Sequence, residues 1–250
     1  MSEILSAAAW GAVAAGALLL GACIAMLVRL PGQVLGLVLA FGAGVLMSAV
    51  AYELVAEALG AQLGSPLVAI GFASGALVFF IGSVAIAGRR SGDGGPGRAS
   101  TTDEGEQEGG LQIVLGAVLD GIPESVVLGA SLVGGTGVSV PVLAAVLISN
   151  VPEGIGASAD MLAAGRSRWA VARIWLVVVG ASALAAGLGY ALLRDAPTEL
   201  VASTQTFAAG AIIAMLAESM IPEAYREGGR AVGLATAFGF AVSALLSFAS

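Results

Sequence analysis

Two short stretches set carboxylates and other polar side chains at helical spacing around a proline. The first reads L-D-G-I-P-E-S, Leu119 to Ser125, and the second S-N-V-P-E-G, Ser149 to Gly154. Asp120 and Glu124 stand four residues apart and share one face of a helix; Ser149, Asn150 and Glu153 share a face at spacings of three and four. Pro123 and Pro152 lack the N–H that would bond the carbonyls of Leu119 and Ile148. Freed carbonyls, carboxylates, an amide and a hydroxyl make an oxygen-rich donor set suited to a divalent cation. The same groups would also serve a proton relay, or a hydrogen-bonded network that pins helices, and at this level all three readings stand.

The segments that carry these residues are strongly apolar. The chain has 250 residues, is 58% hydrophobic and only 11% charged, and has a mean hydropathy of +0.98. Soluble domains run near 45–50% apolar and about 25% charged, so lipid must solvate most of this surface. A carboxylate at the centre of a bilayer costs at least ~2.5–3.5 kcal/mol. Three at one depth repel one another unless they are protonated or share a cation.

Eight apolar segments are each long enough to span: 4–28, 33–58, 66–87, 111–134, 138–164, 169–193, 199–225 and 229–249. They predict an all-α polytopic membrane protein, with residues 1–250 forming one transmembrane domain. The breaks carry Pro and Gly, as at Pro31-Gly32, Ala196-Pro197 and Gly228-Gly229. The first run, Ile4 to Val28, is too long for the core of a signal peptide and lacks a basic leader, so it reads as a span. Residues 88–110, rich in Gly, Ser and acids, are expected to be a disordered loop.

All ten basic residues are Arg. With eight spans, Arg29, Arg89, Arg90, Arg98, Arg166, Arg168, Arg173, Arg226 and Arg230 fall on one side and only Arg194 on the other. The positive-inside rule makes that side cytoplasmic and both termini extracytoplasmic, in the cell membrane. The acids then sort by depth. Glu53 and Glu57 lie near the outer end of the second segment, as an entrance vestibule. Asp160, Glu218 and Glu223 lie near the inner ends of the fifth and seventh, as an exit route. The plain alternative is that these are interfacial side chains reaching water.

The second and seventh segments align without gaps: FGAGVLMSAVAYELVAEA at 41–58 on FAAGAIIAMLAESMIPEA at 207–224. Running in opposite directions, they suggest inverted repeats, a recurrent transporter plan. There is no basic patch, which argues against nucleic acid as a partner. The lone Cys23 sits in an apolar segment and reads as packing. No enzyme is expected. A protease pairing Asp120 with Asp160 would need acids at one depth and a G-x-G-D-type motif, and without His no Ser–His or zinc-protease site is available.

The two Pro-Glu motifs resemble the signature of the ZIP metal-ion transporters, whose fourth helix carries H-N-x-P-E-G and whose fifth carries N-x-P-E-G. The resemblance extends over nearly the whole chain: the second segment here has A-G-V-L…E-L-V-A-E-A, Ala43 to Ala58, and the seventh has E-S-M-I-P-E-A. It implies eight helices in a 3+2+3 arrangement around a binuclear site on helices 4 and 5, homodimers, and a divalent cation as substrate with no cofactor. The metal ligands it implies are Asp120, Glu124, Ser149, Asn150 and Glu153. This chain departs from the pattern in replacing His-Asn by Asp120-Gly121, in having Glu53 for the His of the second helix, and in lacking a Glu-Pro pair between Gly180 and Gly187. One site is thus oxygen-only and the second depleted. The resemblance implies zinc, whereas an all-oxygen ligand set suits manganese or a similar harder ion. The alternative is a ZIP-like membrane protein that has lost transport and acts as a receptor or scaffold.

Overall fold

The structure is a computed structural model that describes residues 2–60, 65–91, 103–133 and 137–249. These are helical almost throughout, with no strand among them. In chain order the helices are α1 (Ser2–Leu27), α2 (Gly32–Gly60), α3 (Ser65–Ser91), α4 (Asp103–Ser131), α5 (Val140–Ala163) and α6 (Arg168–Leu193). Next come α7 (Thr198–Met215, continued by Leu216–Met220 and Ile221–Gly228) and α8 (Val232–Ala249). Two of these rods contain a π-helical turn, Val50–Val55 in α2 and Leu216–Met220 in α7.

Six stretches among the described residues are long and apolar enough to cross a membrane: Ser2–Leu27, Gly32–Gly60, Pro66–Ile86, Val140–Ala163, Arg168–Leu193 and Thr198–Phe248. They make this a multi-pass membrane protein. Large apolar side chains cover the outside of the bundle, among them Leu77, Phe80, Leu184, Leu192, Leu234 and Leu245, all more than half exposed. Water would penalise that surface, whereas lipid is a matching solvent. The last stretch joins α7 and α8, and α4 is not among the six.

Helix ends follow local chemistry. Ser139 caps α5 by accepting from the Val142 N–H at 3.4 Å, with Pro141 in the first turn where no N–H is needed. Ser167 caps α6 in the same way, at 3.2 Å from the Ala170 nitrogen. Gly165 and Gly229 take positive φ, 87° and 63°, which ends α5 and α7 where a β-carbon would be strained. The expected disordered loop at 88–110 is helical at both margins, since α3 runs to Ser91 and α4 begins at Asp103. Each margin extends an apolar helix that is already nucleated, and adding a residue to such a helix costs little. Residues 92–102 lie outside the described residues.

Tight crossings at glycine hold the bundle together. Gly239 of α8 lies on the Phe41 carbonyl of α2, and Gly44 of α2 lies on the Thr236 carbonyl of α8. The same crossing recurs elsewhere: Gly75 of α3 lies on the Phe207 carbonyl of α7, and Gly210 of α7 on the Phe72 carbonyl of α3. Phe41 and Gly44 align with Phe207 and Gly210 at an offset of 166 residues, which also lays the π turn starting at Val50 on the one starting at Leu216. Gly36 of α2 meets Gly228 at the end of α7, and Gly42 meets Met220, so these two helices run antiparallel. Phe41 and Tyr52 of α2 meet Phe238 and Phe248 of α8, so α8 runs parallel to α2 and the chain reverses between α7 and α8. Where lipid removes the hydrophobic drive for helix association, such small-residue contacts supply dispersion energy.

Candidate metal centre

α4 and α5 pass through the middle of the bundle as continuous helices despite Pro123 and Pro152. On α4 the missing N–H of Pro123 is accompanied by a side-chain bond, Ser125 Oγ donating to the Gly121 carbonyl at 2.7 Å. Gly121 itself faces α6, where Ser182 Oγ would stand 3.3 Å from a β-carbon. Glu124 is buried, and its Oε1 has no hydrogen-bond partner among the described residues. An uncompensated buried polar atom is costly and invites an explanation.

Asp120 and Glu124 share one face of α4, and Glu153 of α5 stands in their electrostatic neighbourhood. Glu153 lies within repulsive electrostatic range of Asp120, Glu124 and Glu223, and Glu124 within that of Asp120. Asp120, Glu153 and Glu223 line one cavity of about 170 Å³, walled by Leu39, Trp175 and Met215 and also bordered by Ser219. Among the described residues no three carboxylates converge closely enough to hold an ion as they stand.

Ser149 and Asn150 are turned to other work. Ser149 is fully buried and donates to the Val146 carbonyl at 3.0 Å, with its backbone against Gly42. Asn150 Nδ2 donates to the Ala14 carbonyl of α1 at 3.0 Å, which ties α5 to α1. Their shared helical face with Glu153 is real, but the bonds they make here are structural.

The outlying acids divide. Glu53 accepts from Ser139 Oγ at 3.1 Å and Glu57 from Gln205 Nε2 at 3.4 Å, the pair standing near each other away from the cavity. Asp160 is exposed near the end of α5, within electrostatic range of Glu223. Glu218 and Glu223, expected on an exit route at the inner ends, lie between Asp160 and the central group. Glu218 repels Asp120 and accepts from Ser83 Oγ of α3 at 2.6 Å. Glu223 borders the cavity and lies over Gly156 of α5. Pro222 cannot donate to the Glu218 carbonyl, and α7 takes a π turn at Leu216–Met220 just before it.

Sequence reasoning missed Ser219, Ser83, Ser139 and Gln205. Ser219 was within reach, because the 166-residue offset places it on Glu53. The other three are hydrogen-bond donors on distant helices, and nothing local marks them. A scan of the chain against protein-family models returns no match, and a search against curated proteins returns none.

Proposed function

We propose that this protein carries a divalent metal cation across the membrane, in the manner of the ZIP transporters its Pro-Glu motifs resemble. The observation that carries the reading is the buried Glu124, with an unpartnered oxygen, in the electrostatic neighbourhood of Asp120 and Glu153 on two proline-containing helices. Such a group sits uneasily in a low-dielectric interior unless a cation or protons join it. Asp120, Glu124 and Glu153 would supply the oxygens for the ion, which is the substrate here. All-oxygen ligands favour a hard ion such as Mn²⁺ over Zn²⁺.

The finer architecture belongs to the same proposal. We read α4 as a span by the apolar run at 111–134, and Thr198–Phe248 as two spans that reverse near Gly229. That makes eight spans, with α4 and α5 between two groups of three. The recurring glycine crossings and the aligned π turns support an inverted repeat. The arginine distribution favours extracytoplasmic termini in the cell membrane and inward transport. Homodimers follow only from the resemblance.

A specific observation favours a second reading, a ZIP-like receptor or scaffold without turnover. The Asn150 amide is committed to the Ala14 carbonyl, and the carboxylates do not converge. Uptake by the purified protein in liposomes separates the two. Time-dependent accumulation of Mn²⁺ or Zn²⁺ that Glu124→Ala and Glu153→Ala abolish supports transport. Binding without accumulation supports the receptor.

A further inference from the structure

A second crevice lies away from the central carboxylates. It has a volume of about 750 Å³ and opens where the end of α1 turns into α2, against the last turns of α5. Its walls are apolar, with Leu27, Leu35, Ile155 and Leu162 prominent, and its only charged lining residues are Arg29 and Arg168. Neither arginine has an ion-pair or hydrogen-bond partner among the described residues. Both are exposed, as is Trp169, at 80% of its full surface. The volume falls within the ~300–1,000 Å³ of ordinary ligand clefts.

We propose that this crevice binds one anionic phospholipid, with Arg29 and Arg168 on its phosphate-bearing headgroup and the upper acyl chain against the apolar wall. The reasoning is complementarity at both ends. Two guanidinium groups without protein partners call for an anion, and guanidinium matches phosphate through paired N–H donors. The apolar wall gives nothing to a small hydrated anion, but it is a good surface for a hydrocarbon chain. Basic pockets between spanning helices commonly take acidic lipid headgroups. Trp169 belongs to the residue type that settles at headgroup level, which places the crevice mouth at the edge of the bilayer. The carboxylates take a cation and this crevice an anion, so the two sites are independent, and the lipid site does not depend on transport.

The crevice touches α1, α2 and α5 together. A lipid there would bridge the helix that carries Glu153 to the paired helices α2 and α8. Its occupancy would therefore affect how freely α5 shifts against α2.

The test is lipid retention by the full chain. Protein purified in a mild detergent is mixed with phosphatidylglycerol or with phosphatidylcholine of the same acyl chains, and bound lipids are counted by native mass spectrometry. One phosphatidylglycerol per chain, with phosphatidylcholine at least tenfold weaker, is expected. Arg29→Gln and Arg168→Gln should each weaken binding on the order of fivefold, and the pair roughly 30-fold. Arg194→Gln, on a residue paired with Asp195 at 3.0 Å, should change nothing. Ala159→Phe keeps both arginines but fills the wall, and it too should release the lipid. Glycerol 3-phosphate at millimolar concentration should fail to displace the lipid; displacement would identify a free-phosphate site and overturn the proposal. Equal retention of the two lipids, or undiminished phosphatidylglycerol binding by both the double arginine variant and Ala159→Phe, would overturn it as well.

Discussion

The acids of this protein occupy two unlike settings. Glu53, Glu57 and Glu218 each accept a hydrogen bond from a side chain on another helix, at 3.1, 3.4 and 2.6 Å. Glu124 at the centre keeps an unpartnered buried oxygen, while Asp120 and Glu153 repel it and each other. The first group is satisfied by the protein as it stands. The second is left uncompensated by the protein, and groups held in an unfavourable arrangement are where function concentrates. On the proposed reading, the difference separates a binding centre from the acids around it.

The comparison breaks most sharply at the centre. Replacing Glu124 or Glu153 by Ala should abolish uptake, a loss larger than the roughly 10–100-fold that follows removal of an outer-shell partner of a metal ligand. Insertion should be unaffected, since removing a buried acid lightens the cost of burying the helix. Liposome uptake with a membrane-insertion control checks this, and wild-type rates in both variants would remove these residues from the site. The number of ions sharpens the same point. With Gly121 in α4 and no carboxylate between Gly180 and Gly187, one tightly held ion per chain is expected. Two internal ions by elemental analysis would contradict that count.

The next effect is of pH. A carboxylate must give up its proton before it can bind a cation, so affinity falls as pH falls. Each proton released on binding steepens the fall by on the order of tenfold per pH unit. No His contributes, because the chain has none. Binding titrations across mildly acidic to neutral pH are the measurement. A flat profile would mean that the centre is not made of these acids.

Weaker effects belong to the partnered acids. Glu53→Gln and Glu57→Gln remove charge away from the cavity, so they should raise the half-saturation concentration a few-fold and leave the maximal rate alone. Long-range attraction of this kind fades with ionic strength, and the shift should shrink in high salt. An unchanged half-saturation at low salt would assign these two acids a purely structural role.

How much of this was legible in the sequence depends on whether a residue's neighbours are local. The Pro-Glu motifs, the shared face of Asp120 and Glu124 on α4, and the helices that carry them all rest on spacing along one helix. Ser149 and Asn150 show the limit. Their spacing puts them on the face of Glu153, but their donors are drawn to the carbonyls of Val146 and Ala14. Glu218 shows a second limit, because its partner Ser83 lies on α3 and nothing in the sequence near Glu218 marks that bond. The margins of the 88–110 stretch show a third. Composition marks those residues as polar, and the helices beside them nonetheless carry on into the stretch.

The smallest expected effect lies at Ser83. Its hydroxyl holds Glu218 at 2.6 Å on the α3 side, while Glu218 also stands in the field of Asp120. Freed from that bond, Glu218 could turn toward a cation held by Asp120 and add a fourth carboxylate to the site. Ser83→Ala should therefore tighten apparent binding and slow release, lowering the maximal rate by about two- to fivefold. Those factors are what remains of a ~1.5–3 kcal/mol hydrogen bond to a charged group after exposure weakens it. Glu218→Gln should loosen binding, since one negative charge is lost near the ion. In the double variant the freed side chain no longer carries the extra charge, so Ser83→Ala should add almost nothing to Glu218→Gln. That non-additivity is the decisive reading, because two residues acting through one contact couple whereas independent ones do not. Additive effects on the rate would mean that Ser83 and Glu218 act separately, and Glu218 would then join Glu53 and Glu57 among the acids that only shape the field.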